Sequence, residues 1–199
     1  MKVRIGSMEI EVFDGVYPPS EDTYLLMDAV KQQGGRVALE LCPGTGAVGL
    51  SVAHAVGLIV AVDISPDAAR NTLHNYRANG AAPKLEAVVG DLFSPLGDRE
   101  FDLILMNPPY LPDDGGLAED GAWSAGSDGR AVIDRFILEV GRHLAAGGKA
   151  FFLQSTVNGV EESLEALRGQ GLLARIVLTA DFQFEGLVII EAVRPSPKS

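Results

Sequence analysis

The chain has a single cysteine, Cys42, in 199 residues, so it forms no internal disulfide and is expected to work in a reducing, cytoplasmic setting. It also lacks any Lys/Arg-rich run. Sixteen basic residues stand against 27 acidic ones, for a formal net charge of −11, so the electrostatic footprint of a duplex-binding protein is missing. Direct nucleic-acid binding is therefore not expected. His54, His74 and His143 share no ligand spacing, and no metal site is predicted. Met1-Lys2-Val3-Arg4-Ile5 lacks the apolar core of a signal peptide. Residues 41–62 carry no Asp, Glu, Lys or Arg, but they include Pro43, His54 and four glycines. That pattern fits a buried strand–helix–strand unit, so no membrane span is expected.

What is present is apolar material, 47% of the chain, enough for one domain with its own core. Alternation in Val3 to Ile5 and Met8 to Phe13, split by Gly6-Ser7, predicts an N-terminal hairpin. Ser20, Glu21, Asp22 and Thr23 open a helix, because acids in a first turn favour the helix dipole. Residues 1–35 thus form a hairpin and helix, 36–193 a core, and 194–199 a tail. In the core, strands are predicted over 36–42, 58–63, 84–89, 101–106, 149–155, 172–180 and 184–193. Helices are predicted over 46–56, 66–79, 128–145 and 158–170. This alternation implies an α/β, Rossmann-like fold: seven strands, mostly parallel, covered on both faces, with an antiparallel last strand because the final link is short.

Two segments carry chemistry. In Glu40-Leu41-Cys42-Pro43-Gly44-Thr45-Gly46-Ala47-Val48-Gly49, three glycines satisfy the dinucleotide fingerprint, and Asp63 ends the next strand. A dinucleotide-dependent oxidoreductase is one reading. Glu40 at the loop argues against it, since an acid there repels a pyrophosphate but attracts a sulfonium and an ammonium. Asp63 suits ribose hydroxyls, and Asp91 suits an adenine amine with Leu92 against the base. The second segment, Asn107-Pro108-Pro109-Tyr110, follows the apolar run 101–106. Its prolines set φ and remove two N–H donors. A planar nitrogen can then donate to the Asn107 side chain and the Pro108 carbonyl, with Tyr110 stacked on it. The long acidic, Gly-rich stretch from Asn107 to Ser127 lies where open α/β sheets bind ligands. Its Trp123 suits either a core anchor or a substrate channel, whereas Arg130 is expected to tie the loop to the following helix. A scaffold without catalysis is a further reading, opposed by intact Asn107 and Tyr110.

These residues resemble class I S-adenosylmethionine-dependent methyltransferases, and more narrowly the HemK-like glutamine-N5 methyltransferases of release factors in their short, archaeal and eukaryotic-type form. The likeness rests on Val16-Tyr17-Pro18-Pro19-Ser20-Glu21-Asp22-Thr23, on Asn107 to Tyr110, and on Ala122-Trp123-Ser124-Ala125-Gly126-Ser127-Asp128-Gly129-Arg130. Asn-Pro-Pro-Tyr is shared with adenine-N6 and some guanine-N2 methyltransferases of nucleic acid, which are the alternative. The resemblance implies S-adenosylmethionine as cofactor. Thr23 and Glu40 would meet its methionine part, Asp63 the ribose and Asp91 the adenine. Tyr17, Cys42, Gly44, Gly46, Ile64, Leu92 and Asn107 complete the expected cofactor contacts. Asn107, Pro108, Pro109 and Tyr110 would hold the acceptor nitrogen, a glutamine amide of a class 1 peptide-chain release factor. A small zinc-binding activator subunit is an implied partner, docked on an exposed strand edge. The family's first loop glycine is Cys42 here, followed by Pro43.

Overall fold

In the computed structural model, residues 1–110, 129–181 and 186–197 are described. Strands apolar at nearly every position need cover on both faces, and the central sheet provides for this by alternation. It comprises β3 (Gly35–Leu41), β4 (Val56–Asp63), β5 (Leu85–Val89), β6 (Phe101–Met106), β7 (Leu144–Ser155), β8 (Leu173–Asp181) and β9 (Gly186–Val193). Leu39, Leu41, Ile104, Met106 and Phe152 point to one core, with Phe136 and Val140 of the covering helix α4 (Ala131–His143). Ala38, Leu103, Leu105, Phe151 and Leu153 point to the other, with Leu26 and Val30 of α1 (Glu21–Val30) and Val48 and Val52 of α2 (Ala47–Val52). Two helices complete the layers, α3 (Pro66–Ala78) and α5 (Val160–Gly169).

The strand order is β5-β4-β3-β6-β7-β9-β8. β9 runs antiparallel between β7 and β8, and the other pairs are parallel, as expected. The uncharged run 41–62 is the end of β3, α2 and β4, and no helix among the described residues is long and apolar enough to cross a membrane. A separate hairpin, β1 (Lys2–Ile5) with β2 (Met8–Glu11), packs against α3.

Two boundaries differ most from expectation. α2 stops at Val52 rather than residue 56, because Val56 is already paired with Gly35 in the sheet. β7 begins at Leu144, inside the span expected to be helical. Leu144 pairs with Phe101 and Lys149 with Leu103, so the ladder absorbs extra residues there, helped by Gly147 at φ 77°.

Candidate active site

The carboxyl ends of β3, β4 and β6 open on one side of the sheet around a cleft of about 240 Å³, close to the lower end of small-molecule pockets, roughly 300 Å³. The loop between β3 and α2 forms its floor. Cys42 and Gly44 adopt left-handed backbone, at φ 55° and 54°. For Cys42 that conformation costs roughly 1 kcal/mol, which a glycine would not incur. Burial pushes its thiol upward, and the nearby Asp63 adds to the effect, so it stays protonated. Gly46 caps α2 at φ 76°, and a Cβ there would sit 2.7 Å from the Thr72 methyl. Its requirement is contact with α3, and it does not line the cleft.

Glu40 is 3% exposed. Its Oε1 accepts the Gly49 N–H at 3.0 Å, while its Oε2 is buried without a partner. A Cβ on Gly49 would lie 2.3 Å from that Oε2, so only glycine lets the carboxyl and α2 approach. Burial pushes the carboxyl up to about 8; the Gly49 N–H opposes the shift and Asp63 adds to it. Asp63 is positioned, among the described residues, by backbone donors: Oδ2 accepts the Gly44 N–H at 3.1 Å and Oδ1 the Ser65 N–H at 2.9 Å. Burial raises it too, against those two hydrogen bonds. The cleft wall thus holds Asp22, Glu40 and Asp63 and, among the described residues, no lysine or arginine. A wall of that kind repels phosphate and suits a cation. Glu40 Oε2 is an acceptor that an ammonium would satisfy by donating an N–H, whereas a sulfonium would be drawn to the carboxylate by charge alone.

Asn107 enters from β6. Its Nδ2 donates to Asp22 Oδ2 at 3.1 Å, and its Oδ1 is buried with no partner. Asp22 is 3% exposed, and its other oxygen accepts the Thr23 N–H and hydroxyl at 2.6 and 3.1 Å. The Asn107 amide is thereby fixed in orientation, with its acceptor oxygen unsatisfied among the described residues. Thr23 lines the cleft and also accepts the Ser20 N–H at 3.3 Å, capping α1. Tyr17, Ile64, Pro108, Pro109 and Tyr110 complete the wall. Tyr17 is 41% exposed, and its phenol is raised by burial and by Asp22. The Tyr110 carbonyl accepts Asn158 Nδ2 at 2.7 Å, and the same amide reaches the Gly129 carbonyl at 3.0 Å.

Asp91 and Leu92 do not line this cleft. Asp91 pairs with Arg135 at 2.5 Å, both about half-exposed, and Leu92 turns at φ 47° into the core. Arg130 ties the start of α4 to the turn before α5, donating to the Asn158 and Gly159 carbonyls and pairing with Asp134. Trp123 and the rest of 122–128 lie outside the described residues. Asp22 and Asn158 were missed as site residues: Asp22 has a sufficient reason to be present in the helix dipole, and Asn158 belongs to no motif. No group of His, Cys, Asp and Glu among the described residues could hold a metal ion.

Comparison with known proteins agrees with this geometry. The family model described as "Methyltransferase small domain" matches residues 18–175. A Methanocaldococcus jannaschii protein named for N5-glutamine methyl transfer to protein is 33% identical, aligned over 98% of this chain and all of its own length. Human methyltransferase HEMK2 is 32% identical over 90% of each chain. The E. cuniculi Mtq2 structure, in a Mtq2–Trm112 complex responsible for methylating the termination factor eRF1, superposes with a TM-score of 0.69 at 28% identity, covering 90% of this chain and 98% of that one. The chain belongs to the methyltransferase small-domain family and, within it, to the HemK-like methyltransferases.

Proposed function

We propose that this chain transfers a methyl group from S-adenosylmethionine to the side-chain amide nitrogen, N5, of the glutamine in the Gly-Gly-Gln loop of a class 1 peptide-chain release factor. One observation carries the reading. Among the described residues, an acid-walled cleft without basic side chains is lined by an asparagine whose buried acceptor oxygen is unfilled. The relatives named for protein glutamine and for eRF1 support the acceptor.

Glu40 would hold the cationic methionine end and Asp63 the ribose, while Tyr17 and Ile64 flank the cleft. The bound cofactor supplies an electrophilic methyl group. An amide nitrogen is a poor nucleophile because its lone pair is delocalised. Asn107 Oδ1 and the Pro108 carbonyl accept its two hydrogens, which orients the nitrogen and favours the positive charge that develops during attack. The cofactor would supply the methyl group and keep the sulfur electron pair, and the amide nitrogen would lose one N–H proton to solvent, so that the amide stays neutral. Asp22 acts through Asn107 as a positioning residue.

The Trm112 partner of the E. cuniculi protein supports a small activator subunit here, expected to bind zinc. β5, an outer strand with Val89 53% exposed, offers the edge for it. The −11 charge and the acidic wall weigh against a nucleobase acceptor.

Calorimetry with S-adenosylhomocysteine and with NADH tests the cofactor, and binding of the first alone is expected. Asn107→Ala should abolish transfer to release factor while leaving the S-adenosylhomocysteine Kd within about threefold. Retained turnover would overturn the assignment of Asn107.

A further inference from the structure

Asn71, Asn75 and Asn79 recur every four residues along α3 and its end, facing Phe13, Glu11 and Glu9, which recur every two along the N-terminal segment. The spacings match, since four helical residues rise about 6.0 Å and two strand residues about 6.7 Å. Each asparagine amide pairs with that backbone as a neighbouring peptide group would. Asn79 Oδ1 accepts the Glu9 N–H at 3.0 Å, and its Nδ2 donates to the Glu9 carbonyl at 2.8 Å. Asn75 does the same at Glu11, at 2.9 Å in each direction. Asn71 accepts the Phe13 N–H at 2.9 Å and donates to the Glu11 carbonyl at 2.7 Å. The open edge of β2 is thus completed by a helix whose side chains stand in for a strand.

The middle rung goes further. Asn75 is fully buried, and the second hydrogen of its Nδ2 goes to the carbonyl of Thr45, at 2.9 Å. One turn earlier, Thr72 donates to the Gly44 carbonyl at 3.0 Å. Gly44 and Thr45 line the cleft. Asn75 therefore joins the hairpin backbone and the glycine loop through one amide with no slack. Among the described residues, the Asn79 side chain, by contrast, hydrogen-bonds only with the hairpin and its own helix.

We propose that the N-terminal hairpin is a positioning element of the cofactor site, with Asn75 transmitting the seating of β2 to the Gly44–Thr45 backbone. This rests on the reading of the cleft as the cofactor site. Because coupling is reciprocal, ligand in the cleft must tighten the hairpin by the factor that the hairpin tightens the ligand.

The test is calorimetry with S-adenosylhomocysteine on the whole chain, alongside thermal melting. Asn75→Ala should weaken binding by about tenfold or more, while Asn79→Ala lowers the melting temperature and leaves Kd within about twofold. Equal Kd values for the two variants would overturn the coupling. In the wild-type chain, which needs no variant to fold, S-adenosylhomocysteine should slow amide hydrogen exchange at Glu11 and Phe13 more than in the distant β8–β9 pair. Equal slowing in both places would also overturn it. A wild-type chain that binds no S-adenosylhomocysteine would instead remove the cofactor reading itself, and this inference with it.

Discussion

Asp63 and Asp91 occupy corresponding places in the sheet, each at or just beyond the carboxyl end of a parallel strand, but they are secured differently. Asp63 is held by two backbone N–H groups, from the glycine loop and from the start of α3, and it faces the cleft. Asp91 is held by one half-exposed arginine and lies away from the cleft wall. Backbone donors cannot swing aside, whereas an exposed ion pair contributes at most about 1 kcal/mol and opens readily. The β3–β4 side of the site is therefore preformed. At the β5 side, Asp91 is held through Oδ2 by a side chain that can move.

Breaking the preformed side should have the largest effect. Asp63→Ala frees the Gly44 and Ser65 N–H groups, so S-adenosylhomocysteine affinity should fall by about a hundredfold, measured by calorimetry; a loss under threefold would mean that the loop holds its shape without the carboxylate. Glu40→Gln comes next and is read against pH. The folded pKa of Glu40 lies above its ordinary value, so the stability its neutral form contributes is present below about pH 4.5 and lost as pH rises through about 8. Without ligand, the Gln variant should melt progressively higher than wild type between pH 5 and pH 8.5 (approximate bounds of the same titration). Its cofactor affinity should fall by about tenfold at the alkaline end and by less at pH near 6. A pH-independent gap in melting temperature would contradict the buried acid.

Asp22→Ala probes positioning rather than binding. Turnover should fall by about tenfold while the S-adenosylhomocysteine Kd stays within about threefold, because Asn107 loses its orienting partner but not its place on β6. A rise in Kd with unchanged turnover would place Asp22 in cofactor binding instead. The smallest effect is expected on the other side of the comparison. Asp91→Ala should shift affinity by no more than about fivefold, less at high salt. A hundredfold loss would show that Asp91 meets the cofactor directly.

What the sequence made legible follows from distance along the chain. Glu40, Gly44 and Gly49 lie within one strand–loop–helix unit, and Glu40 meets Gly49 over nine residues, so spacing alone announced them. The central strands were equally plain, because a strand covered on both faces reads as a nearly continuous apolar run. The Asp22–Asn107 contact spans 85 residues and exists only because α1 folds over the end of β6. The asparagines of α3 show helical spacing, but their partners in the hairpin lie 58 to 70 residues away. Asp91, just past the end of β5 and followed by Leu92, is expected to meet the adenine from its place in the sequence and from the family resemblance. What the sequence could not show was Arg135, brought alongside by α4 from 44 residues downstream.

The most direct measurement is peptide mass spectrometry of a class 1 release factor incubated with this chain, S-adenosylmethionine and the activator subunit. The structure predicts one added methyl group on the glutamine of the Gly-Gly-Gln peptide with wild-type chain, and none with Asn107→Ala. An unmodified glutamine with the wild-type chain, or a methyl group that persists with Asn107→Ala, would contradict it.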